Sequence, residues 1–211
     1  MSSLPVVLYV PNILCYARII LAFVGLQFAS TRPATAVTIW IVSATLDLFD
    51  GLLARLLNQT SSFGVLLDIV ADNILRTCVW VAAAAANPSY LAISCFVVCL
   101  EWTTMVATQV HASSHTTHWK EARQNDPWFV QSFFANNFRN PLGALGIFGL
   151  FAANLFAYGS QFDLLVESIP FFNLWMSIAF IGRGVAMCVE LWFCKGYVSY
   201  ILEQDSKRKT L

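Results

Sequence analysis

The sequence predicts an all-α, polytopic membrane protein: six transmembrane helices behind a short N-terminal interfacial helix, forming a single domain over 1–211. Three observations carry this. Of 211 residues, 58% are hydrophobic and only 11% charged, with 17 Phe and 7 Trp, and the mean hydropathy is +0.65. Soluble domains carry about 25% charged residues, and so few charges cannot cover a water-facing surface. Apolar stretches of about 20 residues, the length that crosses a hydrocarbon core, recur between polar breakers. Finally, the basic residues fall almost wholly on one side of the layout those stretches define.

The chain opens with an apolar run from Leu4 to Pro11 that ends in proline, which predicts a short helix at the membrane interface. No basic lead or small-residue cleavage site accompanies the first long apolar stretch, so it is expected to stay as a membrane helix. Spans are predicted at about 12–30, 34–57, 62–86, 89–112, 140–158 and 170–194. The breakers between them are Arg32-Pro33, Asn58-Gln59-Thr60-Ser61-Ser62, Asn87-Pro88, the polar stretch from His111 to Gln131, and Gly159 to Glu167. In the fifth span Gly143, Gly146 and Gly149 recur at i,i+3, a spacing that predicts close helix packing.

Six spans put both termini on one side. That side, with the 2–3 and 4–5 connections, holds Arg18, Arg55, Lys120, Arg123, Arg139, Lys195, Lys207, Arg208 and Lys209, while the other holds only Arg32. Nine against one places both termini in the cytosol. Arg76 and Arg183 remain inside spans. The sequon Asn58-Gln59-Thr60 then faces the cytosol and is expected to be unmodified. The formal net charge is zero and no long basic run exists, which argues against nucleic acid as a partner. Six cysteines lie scattered in apolar segments without a C-x-x-C, and read as buried small hydrophobes. His111, His115 and His118 read as part of a solvated loop.

The second and third spans nevertheless contain Asp47, Asp50, Asp68 and Asp72. A carboxylate at membrane depth costs about 2.5–3.5 kcal/mol, so four cost on the order of 10–14 kcal/mol unless something offsets them. Their spacing suggests what does. Asp47 and Asp50 are i,i+3, and Asp68 and Asp72 are i,i+4, so each pair shares one helix face. Two such faces opposed would present four hard oxygen ligands to one point, the donor set of Mg²⁺ or Mn²⁺, and two divalent ions would balance the charge. Gly51 and Gly64 clear space beside the carboxylates, Arg55 lies one turn beyond Gly51 where a guanidinium could meet a phosphate, and Ser61 offers a hydroxyl at the same level.

Asp47-Leu-Phe-Asp50-Gly51-Leu-Leu-Ala54-Arg55, eight residues, Gly64, three residues, Asp68, three residues, Asp72: this run resembles the signature of the CDP-alcohol phosphatidyltransferases at every fixed position. Val10-Pro11-Asn12, Tyr16-Ala17-Arg18 and Leu56-Leu-Asn58-Gln59 narrow the resemblance toward the phosphatidylinositol synthase branch of that family. The resemblance implies an enzyme in which metal ions hold the pyrophosphate of CDP-diacylglycerol while an alcohol, myo-inositol first of all, attacks the lipid-bearing phosphorus and releases CMP. It implies that Asp47, Asp50, Asp68 and Asp72 hold the metals, that Asp72 also takes the proton of the attacking hydroxyl, and that Gly51, Arg55, Ser61 and Asn12 contact the CDP moiety. It also implies a homodimer in the endoplasmic reticulum membrane.

The chain departs from the inositol-dependent pattern in three places. An Arg after the last motif aspartate is here Asn73, an Asp-x-x-Ser-His-Trp falls at Glu101-Trp102-Thr103-Thr104-Met105-Val106, and a Tyr-Tyr-x-x-Arg falls at Phe133-Phe134-Ala135-Asn136-Asn137. These departures keep serine, glycerol 3-phosphate or another polyol open as acceptor, and keep open a non-catalytic membrane homologue. Glu101 inside a span reads either as a functional residue or as the ion-pair partner of Arg76 or Arg183.

Overall fold

The computed structural model of the chain describes residues 5–114 and 126–209. Among these residues there is no strand. A 3-10 turn at Val6–Leu8 leads into α1 (Val10–Phe28), α2 (Pro33–Leu56) and α3 (Ser62–Ala86); a second 3-10 turn at Pro88–Tyr90 precedes α4 (Leu91–Ser114). Then come α5 (Trp128–Phe134), α6 (Pro141–Gly159), α7 (Asp163–Ser168) and α8 (Phe172–Lys209). His115 and His118, Lys120 and Arg123 lie outside the described residues, as does Leu4 at the start of the predicted interfacial helix. Of that helix the described part is the three-residue turn.

Each predicted span coincides with a helix, and five of them, all but α3, are long and apolar enough to cross a membrane. The protein is thus a helical, polytopic membrane protein. The count of six rests on α3, which has the length, 25 residues, but carries Asp68, Asp72 and Arg76. Two short helices were not predicted. Proline at the N-cap of α5 sets up the apolar cluster Trp128-Phe129-Val130, and α7 forms inside the breaker before Pro170. α8 runs past the predicted end at 194 because a helix need not stop where its apolar run stops; Ile201 to Lys209 contains no Gly or Pro.

The chain divides into two compact units. The first holds the described residues up to Ser94 together with Asn154–Pro170. Its helix directions can be read from side-chain bonds. Along α1 and α2, Trp40 Nε1 donates to the Ala22 carbonyl (3.1 Å), Ser43 Oγ donates to the Arg18 carbonyl (3.1 Å), and Cys15 Sγ reaches Asp50 (3.5 Å). One number rises as the other falls, so the helices are antiparallel. Along α1 and α3, Gly64 lies against Asn12, and Asp68 against Arg18, so these two run parallel. The N-terminal ends of α1 and α3 and the C-terminal end of α2 therefore meet at one end of the unit.

The opposite end is closed by packing. Trp40, 1% exposed, lies on Gly25, where any side chain would overlap the indole. Tyr158 stacks edge-on against Trp40 with centroids 5.2 Å apart and donates its hydroxyl to the Ala29 carbonyl at 2.6 Å. Ala22, Ala36, Ala71 and Ala83 are fully or almost fully buried, so small residues bring the backbones close where lipid supplies no hydrophobic drive between helices. Outward-facing Ile20, Phe23 and Leu48 are more than half exposed, as a hydrocarbon-facing surface requires.

The second unit holds Cys95–Ala153 and Phe171–Leu211, as far as these are described. Its core is Val130, Phe133, Phe134, Ala186 and Val189. The glycine run of α6 does pack closely, within the chain: Gly149 lies against the backbone of Gly182 and Arg183, and Gly146 under the ring of Phe133. Glu101 and Arg183, each 4% exposed, form an ion pair at 3.3 Å, and Arg183 also meets Glu190 at 2.9 Å. Arg183 is one of the two partners anticipated for Glu101.

Candidate active site

The four aspartates converge. α2 presents Asp47 and Asp50, and α3 presents Asp68 and Asp72, toward the same face of α1. Their exposure is graded: the Asp50 side chain is 6% exposed, Asp72 22%, Asp47 33% and Asp68 42%. The ligand oxygens of Asp47, Asp68 and Asp72 lie within 4.8 Å of one another, and those of Asp50 and Asp68 form a second such group with the Cys15 thiol. The two groups share Asp68. The first group is all carboxylate and the second has two carboxylates beside the thiol, so the oxygen donors suit a hard divalent cation.

At the point of convergence stands Arg18. Its Nη1 is 2.8 Å from Asp47, 2.7 Å from Asp50 and 2.7 Å from Asp68, and its Nη2 bonds Asp72. Reading Arg18 as a flanking, orientation-setting charge is therefore wrong. It sits within α1 at 1% exposure and belongs to the array, which leaves eight residues rather than nine on the side assigned to the cytosol. The available signal was its place seven residues into a predicted apolar span, where a guanidinium must have partners. The aspartates form ion pairs chiefly with Arg18. Of the four, Arg76 approaches Asp72, at 3.7 Å, and its guanidinium also bonds Asn73.

Beside the array a cavity of about 110 Å³ opens among the converging helix ends. Asn12, Cys15, Asp50, Gly51, Ser61 and Asp68 are among the residues around it. Cys15 is the second residue that its type disguised: it reads as a buried hydrophobe, yet its thiol faces Asp50 and the cavity. Asn12 is 1% exposed, donates to the Val6 carbonyl at 2.6 Å, and leaves its Oδ1 without a hydrogen-bond partner. A buried, unsatisfied amide oxygen costs about 1–3 kcal/mol, and here it belongs to a residue that lines the cavity. Ser61 serves first as the N-cap of α3, its Oγ accepting from Gly64 N at 3.0 Å. Arg55 is exposed and does not line the cavity; its guanidinium lies alongside Gly51, 4.0 Å from where a Cβ would stand.

The connection that shapes this end is built from α2's last turn. Gln59 N bonds the Ala54 carbonyl (2.9 Å) and Asn58 N the Arg55 carbonyl (3.3 Å), with Asn58 at φ 53°. This is a Schellman close with Asn in the left-handed position that glycine usually takes. It turns the chain so that Gln59 accepts from Val10 N at 2.9 Å, tying the 2–3 connection to the start of α1.

A family model described as CDP-alcohol phosphatidyltransferase matches residues 8–169. Among curated proteins, the CDP-diacylglycerol–inositol 3-phosphatidyltransferase of Schizosaccharomyces pombe is 33% identical over 135 residues, 61% of this chain and 55% of that protein. The human protein of the same name is 41% identical over 81 residues, 38% of each chain. A probable CDP-diacylglycerol–inositol 3-phosphatidyltransferase of Arabidopsis thaliana is 28% identical over 138 residues, 64% of this chain and 60% of its own. The chain thus matches between 38% and 60% of these relatives' lengths. No solved structure matches.

Proposed function

The chain belongs to the CDP-alcohol phosphatidyltransferase family, and from that premise we propose that it transfers a phosphatidyl group from CDP-diacylglycerol to an alcohol, myo-inositol, giving phosphatidylinositol and CMP. The observation that carries this is the convergence of Asp47, Asp50, Asp68 and Asp72 beside a cavity lined by Asn12, Gly51 and Ser61. The names of the relatives favour inositol. We take 1–211 as one catalytic domain, since the matched residues 8–169 draw on both compact units.

In this reading Asp47, Asp50, Asp68 and Asp72 would hold two divalent ions, Mg²⁺ or Mn²⁺. When bound, such ions neutralise the pyrophosphate and the charge that develops as one phosphorus–oxygen bond forms and another breaks. Gly51 lets a phosphate approach the α2 backbone. Asn12 and Ser61 offer an amide and a hydroxyl to the nucleotide, and Arg55 guards the exposed side. Asp72 accepts the proton of the attacking hydroxyl; the hydroxyl oxygen bonds to the lipid-bearing phosphorus, and CMP leaves with the electrons of the broken bond. A cavity at one end of the helices suits the task, because the water-soluble alcohol and nucleotide must meet a lipid whose tails stay in the bilayer. We place that end and both termini in the cytosol, the protein in the endoplasmic reticulum membrane, and the working form as a homodimer.

The test is to offer purified protein CDP-diacylglycerol and Mn²⁺ with labelled inositol, serine or glycerol 3-phosphate. CMP release should require inositol and metal together, and Asp72→Asn should reduce it by at least about 100-fold, the scale of a lost general base. Full activity in that variant would remove Asp72 as base. A different acceptor is the second reading. Asn73, whose side chain meets Arg76 next to Asp72, is the observation that favours it.

A further inference from the structure

The Nη1 atom of Arg18 bears two hydrogens yet faces three carboxylates at 2.7–2.8 Å, while its Nε is buried without a hydrogen-bond partner. With Nη2 on Asp72, its two terminal nitrogens engage all four carboxylates, and Nη1 stands at the centre of the array, where a coordinated cation would stand. Its backbone is tied there, since Ser43 donates to the Arg18 carbonyl, so displacement would come from rotation of the long side chain alone. Two cations cannot share that point. Like charges at contact distance repel, and a divalent ion doubles the repulsion.

We propose that Arg18 is a built-in counter-cation of the aspartate array. It occupies the point shared by Asp47, Asp50 and Asp68, competes with the divalent ions for it, and is displaced when they bind. This rests on the metal reading given above and adds a residue to it. The physical gain lies in the membrane setting: a tethered cation offsets part of the array's charge at depth, and metal entry displaces it from the shared point.

Manganese binding by the whole protein in nanodiscs, measured by electron paramagnetic resonance without nucleotide, tests this. Arg18→Gln should bind Mn²⁺ at least about tenfold more tightly than wild type, because the competitor is gone. Its melting temperature should fall below wild type in EDTA, and saturating Mn²⁺ should close that gap, since the ion takes over the neutralising role. Unchanged or weaker Mn²⁺ binding, or a gap that persists at saturation, would overturn the proposal and leave the metal reading intact. Failure of both proteins to bind Mn²⁺ would remove the metal reading and the proposal together. Should Arg18→Gln not fold, wild type labelled with ¹⁵N-guanidinium arginine gives the answer by infrared difference spectroscopy. Adding Mn²⁺ should shift guanidinium as well as carboxylate bands, and a carboxylate-only difference spectrum would overturn the proposal.

Discussion

At the residue scale the two motif glycines make different demands. A Cβ on Gly64 would stand 2.8 Å from Asn12 Oδ1 and 3.1 Å from Ser61 Oγ. Asn12 is held by Val6, and Ser61 by its cap to Gly64 itself, so neither gives way freely. Gly64→Ala should therefore lose about 1–3 kcal/mol of stability by overpacking, together with CMP formation. A Cβ on Gly51 meets only Arg55 Nη2 at 4.0 Å. Gly51→Ala should keep the wild-type melting temperature and still lose activity, a split that thermal melts and turnover assays read directly; equal losses in both would deny Gly51 its part in substrate approach. The array was legible because paired spacings and the cost of burying acids are properties of sequence alone. Arg18 and Cys15 were not, because one was counted as a flanking charge and the other as a small hydrophobe, and only packing tells a residue's side of a helix.

At the scale of elements, the short 2–3 connection decides whether Asp47 and Asp50 can face Asp68 and Asp72. Its geometry hangs on Asn58, whose positive φ closes α2 and whose neighbour Gln59 then reaches Val10. Replacing Asn58 with valine puts a β-branched residue in the left-handed region, at a cost of about 1–2 kcal/mol. Asn58→Gly relieves even the small strain of asparagine. Valine should lower the melting temperature and weaken CMP formation, glycine should do neither, and identical behaviour of the two would mean that this turn does not set the array. Five of the six long helices, and the start of α8, lie within two residues of the positions read from the sequence, since apolar length and breakers fix them. The short α5 and α7 escaped because six or seven residues leave no periodic signal, and α8 outran its prediction because its polar tail continues the helix.

For the whole molecule the open quantity is parity. If α3 crosses the membrane with the five more apolar helices, the crossings number six and both termini share a side; if it does not, the termini lie on opposite sides. The structure supplies a physical argument for crossing. α3 runs parallel to α1, and its charged residues have partners: Asp68 and Asp72 meet Arg18, and the Arg76 side chain, only 10% exposed, meets Asp72. Pairing offsets part of the cost that its composition suggests, with Asp68, at 42%, the most exposed of the three. The basic residues outside the array agree, with Arg32 alone at the 1–2 connection. Glycosylation acceptors inserted at each terminus and at Arg32-Pro33, in protein translated into microsomes, should be modified only at the 1–2 connection. Modification at one terminus would set the number of crossings odd and take α3 out of the bilayer, and with it the membrane-depth argument for why its aspartates need a cation at all.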